Sequence, residues 1–284
     1  MSAARRTQSF HTPEYTQKKR SRMIRLLVIV FGSLFGMLGI FIGLTHWPAV
    51  QIKNIDVQGT HILSVEDIRA VARTTMSGNY LYIFGKNNAA IYPQSELEKQ
   101  IRTAFPRIEH LTVELDNYRT IRITVSEREP FALWCGSTET AGASSQCYFL
   151  DRSGYVFSAA PDFSGDAYFK YYGLVPYESA VGSSYLSSSE KFTELSGFVA
   201  TVKSLNITPL YLVATSQDEF ELYLYGGGKL IFDDHESLSV VGEHLAKLLT
   251  TAQLVPQKNG ELLVEYIDLR FGNKLYYKVR GGAR

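Results

Sequence analysis

The sequence predicts an α+β protein carried on a single N-terminal transmembrane helix. A small β-α-α-β-β domain is followed by a larger, mainly antiparallel β domain with two helices. Three observations predict this. Residues 26–44 are an apolar run without a charge. Residues 50–128 pass from strand-like to helix-like periodicity and back. From Glu129 onward strand-like runs dominate, broken by two stretches of helical period.

The charge is divided along the chain. Residues 1–25 hold seven basic side chains and one acid, Glu14. The remainder has 22 basic against 27 acidic residues, a net charge of −5. A mildly acidic bulk is a poor match for nucleic acid, so no nucleic-acid partner is expected. Leu26 to Leu44 spans 19 residues, 13 of them Leu, Ile, Val or Phe. As a helix it reaches roughly 28 Å, close to the hydrocarbon thickness of a bilayer. Those side chains favour insertion by roughly 4–8 kcal/mol. A cleaved signal peptide is the alternative. It would show an apolar region of about 7–15 residues and then small residues. Here the run is longer, and Thr45-His46-Trp47-Pro48 follows. An uncleaved anchor over 26–46 is therefore expected. The basic tail at 1–25 stays cytoplasmic beside anionic lipid, and Trp47 sits at the interface. Gly32, Gly36, Gly39 and Gly43 step by four, three and four, which puts them on one helix face. Either that face packs against another helix, or glycine is simply common in membrane helices.

In the first outer domain, Ile52, Ile55 and Val57 suggest a strand that ends at Gly59-Thr60. Ser64 reads as an N-cap with Asp67 three residues on, and the helix it opens runs to about Thr74. A second helix is expected over about Ser95–Phe105, stopped by Pro106. Leu111, Val113 and Leu115 alternate, and so do Ile121, Ile123 and Val125. Asp116-Asn117-Tyr118 makes the hairpin turn between them.

In the second domain, 129–284, strands are expected at Phe131–Cys135, Gln146–Asp151, Leu210–Ala214, Phe220–Tyr225, Leu230–Asp233, Tyr266–Phe271 and Leu275–Val279. Helices are expected at about Ser189–Leu205 and Ser237–Leu254. Cys135 and Cys147 are the only cysteines. A hairpin would bring them together, and a disulfide there would need an oxidising compartment. Free thiols are the other reading; two isolated thiols make a poor metal site.

Catalytic patterns are weak. Ser188-Ser189-Glu190-Lys191 matches S-x-x-K, but no K-T-G or S-D-N partner is present. A helix cap is the plainer reading of Ser188. Asp233-Asp234-His235-Glu236 fails the H-E-x-x-H spacing because Ser239 stands in the second His position. Gly226-Gly227-Gly228-Lys229 lacks the rest of a phosphate loop and reads as a tight hairpin. Nothing assembles a nucleophile, a base and an orienting group. No catalytic residue, metal, cofactor or small-molecule substrate is expected.

The motifs converge on a resemblance. Glu127-Arg128-Glu129-Pro130-Phe131-Ala132 resembles the E-R-x-P-x-A junction after the POTRA domain in the FtsQ/DivIB family of bacterial cell-division proteins. Phe149-Leu150-Asp151-Arg152-Ser153-Gly154-Tyr155-Val156-Phe157 is similar to that family's next segment. Tyr266-Ile267-Asp268-Leu269-Arg270-Phe271 is similar to its late D-L-R strand. The motifs fall in family order along nearly the whole chain. The Cys135–Cys147 insert and the Ser-rich stretch near 182–189 depart from the family pattern.

The resemblance implies a non-enzymatic scaffold at the division septum. It implies recruitment of the FtsB/FtsL coiled-coil pair and control of the septal peptidoglycan synthase. It also implies a partner site where the partner adds a strand. The matching residues are Arg270, Phe271, Lys274, Leu275, Tyr276, Tyr277 and Lys278. Physical reasoning offers two readings: a final strand can present an unpaired edge to a partner, or it only packs its own core with the lysines guarding that edge. Lys274, Tyr276 and Lys278 would line one face, and Leu275, Tyr277 and Val279 the other. A POTRA-bearing assembly or secretion factor is an alternative, although no series of barrel strands follows. An envelope enzyme built on Ser188 and Lys191 is a weaker one.

Overall fold

Pro13 takes the first position of helix α1, Pro13–Thr45, where a missing N–H is tolerated. No helix breaker stands between it and Leu26, so α1 starts well before the apolar run. The computed structural model describes residues 13–45, 48–80, 84–137, 146–163, 167–176, 179–272 and 274–281. Most of the basic tail's first half, together with His46 and Trp47, lies outside these residues. Within α1, Arg22–Ile40 has mean hydropathy 2.2 and is long and apolar enough to cross a membrane. The chain thus has one N-terminal apolar helix of the kind a single-pass membrane protein carries.

Beyond α1 the described chain is mixed α+β. Strand β1 (Asn54–Gln58) precedes helix α2 (Val65–Thr75). Two-residue strands β2 (Asn79–Tyr80) and β3 (Phe84–Gly85) pair with each other. Helix α3 (Gln94–Ala104) leads into β4 (Ile108–Asn117) and β5 (Thr120–Glu127). The sheet order is β1-β5-β4, with β1 parallel to β5. Ser64 caps α2, its hydroxyl accepting the Asp67 N–H at 3.3 Å. Ile68, Ala72 and Leu97 from the helices and Val113, Ile121 and Ile123 from the strands are buried. Each such side chain, fully buried, contributes roughly 1.5–3 kcal/mol for the larger aliphatics.

Chain contacts divide the molecule into two units: residues 1–58, 64–100 and 112–124 in one, and 59–63, 101–111 and 125–284 in the other. The second unit contains nine further strands and two helices. The strands are β6 (Ala132–Trp134), β7 (Tyr148–Leu150), β8 (Val156–Ala159), β9 (Lys170–Tyr172) and β10 (Pro209–Ala214). They continue with β11 (Glu219–Leu224), β12 (Lys229–Asp233), β13 (Val264–Phe271) and β14 (Lys274–Val279). The helices are α4 (Ser189–Ser204) and α5 (Leu238–Thr251). All nine strands form one sheet in the order β14-β13-β12-β11-β10-β9-β6-β7-β8. The β12–β13, β10–β9 and β6–β9 pairs are parallel; the other pairs are antiparallel.

One face of this sheet carries α4 and α5. Phe192, Leu195, Phe198 and Val202 from α4 join Val241, Leu245 and Leu249 from α5. They share a core with Leu212, Phe220, Leu222, Leu230, Phe232 and Ile267 of the strands. Phe198 and Phe232 lie 4.4 Å apart by ring centroid. The helices approach closely at Gly242, where a Cβ would stand 3.1 Å from Thr201 Cγ2. The opposite face is aromatic, with Tyr211 and Tyr223 stacked at 4.7 Å. Strands β8 and β9 and the β2–β3 pair have no counterpart among the sequence-based expectations.

Candidate partner-binding site

The two ends of the nine-stranded sheet differ. Past β8 the chain covers its own edge. The Val156 N–H donates to Ser183 O at 2.9 Å and the Gly182 N–H to Val156 O at 2.8 Å. Tyr155 and Ser184 form a bridge, and the Tyr185 N–H donates to Gly154 O at 2.8 Å. The Ser-rich stretch near 182–189 therefore begins as a lid on that edge and ends as the cap of α4. At the other end, β14 pairs only with β13 among the described residues.

The β13–β14 hairpin turns at Gly272, whose φ of +58° suits glycine. Its register places Tyr266 opposite Lys278, Ile267 opposite Tyr277 and Asp268 opposite Tyr276, with Phe271 opposite Lys274 across a bulge. Ile267 lies in the helix-side core, so Tyr277 shares that face and Leu275 packs against the same core. Tyr276 and Lys278 share the opposite face. Phe271 and Tyr276 are each 53% exposed and meet edge to face at 5.3 Å. Aromatic rings of this kind are common anchors in protein interfaces. Tyr277 and Val279 are exposed as well.

The charges around the hairpin are mostly engaged. Arg270 holds Asp268 with two bonds, Nε to Oδ1 at 2.9 Å and Nη2 to Oδ2 at 2.7 Å. It also reaches Glu219 at 3.4 Å. Burial tends to raise the Asp268 carboxyl, but the Arg270 side chain and N–H outweigh it and hold it below the usual range. Arg270 thus braces β13, and its guanidinium lies 5.7 Å from the Phe271 ring. Lys278 pairs with Glu265 at 2.7 Å, which raises its pKa. Lys274 is exposed on the edge.

The junction residues hold structure. Glu127 accepts the N–H groups of His61 at 2.7 Å and of Ile62 and Leu63 at 3.0 Å. Burial pushes its carboxyl up, yet these three bonds bring it below the usual value. The Arg128 guanidinium pairs with buried Asp151, stacks 4.2 Å from the Tyr155 ring centroid and donates to Pro106 O. Pro130 is half-buried. Cys135 and Cys147 are joined by a disulfide that ties the end of β6 to the approach to β7. The glycines of α1 have open space around them, with nothing within 4 Å of a Cβ at Gly32, Gly36, Gly39 or Gly43.

The Ser188–Lys191 pair is arranged as a cap. Ser188 Oγ accepts the Lys191 backbone N–H at 3.2 Å. The Lys191 ammonium binds Asp218 at 2.9 Å and Asp234 at 2.7 Å, and those bonds raise its pKa. A lysine base needs the opposite shift. His235 pairs with Asp233 at 2.9 Å. Among the described residues no cluster of His, Cys, Asp and Glu could hold a metal.

Residues 50–128 match the family model described as the POTRA domain, FtsQ-type. The chain carries an FtsQ-type POTRA domain. That match supports the resemblance to the FtsQ/DivIB family over this domain. No curated protein matches the chain. Sequence reasoning missed the covered edge of β8, the Glu127 cap and the Asp151 hub. Only the last had a signal: Asp two residues before Ser in Asp151-Arg152-Ser153-Gly154 is the pattern of an Asx turn.

Proposed function

We propose that this chain is a non-enzymatic, single-pass scaffold of the divisome at the septum. Its basic tail faces the cytoplasm and its bulk lies outside. The FtsB/FtsL-type coiled coil adds a strand to the outer edge of β14, and through it the scaffold helps control the septal peptidoglycan synthase complex. The observation that carries this reading is the position of β14 at the end of the sheet order with exposed Phe271 and Tyr276 beside it. Strand addition gains main-chain hydrogen bonds, while alternate side chains set specificity. The basic residues before the apolar run favour a cytoplasmic N-terminus and contact with anionic lipid. The Cys135–Cys147 disulfide fits an oxidising compartment. We place the domain boundary after Arg128, with 50–128 as the POTRA domain and 129–284 as the β domain.

Two variants test the site. Tyr276→Lys and Phe271→Ala are expected to keep the native circular dichroism spectrum. Each is expected to weaken pull-down of the coiled-coil partner about tenfold or more, in line with loss of an aromatic anchor. Unchanged pull-down by both overturns the site.

A further inference from the structure

A groove of about 710 Å3 lies away from β14, in the second unit. Its walls come from the approach to β9, the end of α4, the start of β10 and the loop between α5 and β13. The side chains that define its chemistry are Phe169, Lys203, Asn206, Leu210, Gln257 and Lys258. No Asp or Glu lines it, although the chain beyond residue 25 is net negative. Lys203 stands in the last turn of α4, 5.3 Å from the Phe169 ring centroid. Lys258 is exposed in the opposite wall. Among the described residues neither ammonium has a carboxylate partner. Leu210 is 40% exposed at the rim, beside Pro209 and across from Pro256.

We propose that this groove binds an extended acidic peptide bearing aliphatic side chains, a second ligand site distinct from the β14 edge. The two ammonium groups complement carboxylates, and no fixed acid opposes them. The amides of Asn206 and Gln257 each offer one acceptor and two donor hydrogens, which matches the paired N–H and C=O of a peptide unit. Leu210 and the prolines suit aliphatic side chains. A sugar chain fits less well, because the aromatic rings are already engaged. Phe169 has Lys203 over it and meets the Tyr171 ring at 5.1 Å, while Tyr168 meets Phe149 at 5.6 Å and Phe163 at 5.3 Å.

The test uses the full chain in detergent micelles and a fluorescein-labelled octapeptide of alternating glutamate and leucine, followed by anisotropy. The probe binds the wild type, and an alternating lysine–leucine peptide does not. Lys203→Glu combined with Lys258→Glu weakens binding about tenfold or more, as two like-charge contacts replace two favourable ones. Both lysines are exposed, so this variant keeps its fold. Tyr276→Lys leaves binding unchanged, which separates the groove from strand capture at β14. The proposal is overturned if the double variant binds the probe as the wild type does. It is equally overturned if Tyr276→Lys abolishes binding, or if a soluble N-acetylglucosamine oligomer displaces the probe.

Discussion

Asp151→Ala is expected to destabilise the second unit by about 3–5 kcal/mol, the range for a buried charge stripped of its partner. Asp151 is only 5% exposed. One oxygen, Oδ1, accepts the Ser153 N–H at 2.8 Å, the Ser153 hydroxyl at 2.6 Å and the Tyr155 N–H at 3.0 Å. The other, Oδ2, takes the Arg128 guanidinium. Alanine therefore opens the turn before β8 and leaves the Arg128 charge half-buried without a counter-ion. Asp151→Asn keeps an acceptor for the turn but loses the ion pair, so a smaller loss is expected. Urea denaturation of the full chain in detergent, followed by fluorescence of buried Trp134, reads both. A midpoint for the alanine variant equal to that of wild type would remove Asp151 as the hub of the junction.

Gly154→Ala, three residues on, is expected to cost about 3 kcal/mol through a different mechanism, strain plus overpacking. Gly154 has φ of +80°, which side chains disfavour. An added Cβ would stand 2.6 Å from Phe192 Cγ. Phe192 cannot yield cheaply, since it is fully buried among Phe131, Tyr171 and Tyr185. Because Gly154 O also accepts the Tyr185 N–H, any backbone shift loosens the lid over β8. Adding Phe192→Leu to Gly154→Ala is expected to recover the steric share and not the backbone share. No recovery in the double variant would place the whole cost in the backbone.

Much of the fold is legible where a side-chain pattern carries it. The alternation in β4 and β5, the Ser64 cap and the 3.6-residue spacing of Phe192, Leu195, Phe198 and Val202 all lie in the local sequence. The E-R-x-P and D-L-R motifs mark residues whose partners are visible only in space: Arg128 reaches Asp151, while Arg270 turns back on Asp268. The rest is hidden for physical reasons. Strand β9 has three residues, and Tyr171 and Tyr172 are both buried because each face of the sheet is covered there, which erases alternation. The lid at Gly182–Tyr185 works through backbone hydrogen bonds, which leave almost no trace in side-chain choice. The place of β14 at the end of the sheet order is a matter of topology, which local side-chain choice does not record. Its aromatic pair, Phe271 and Tyr276, needed the bulged register to bring the rings together.

Hydrogen exchange of the full chain, with and without the purified FtsB/FtsL-type coiled coil, tests strand addition most directly. Slowed exchange confined to peptides covering Lys274–Val279, with β8 unchanged, is the expected result, because an added strand ties up amides that now face solvent. A complex that forms while Lys274–Val279 exchanges as fast as before would contradict strand addition at this edge.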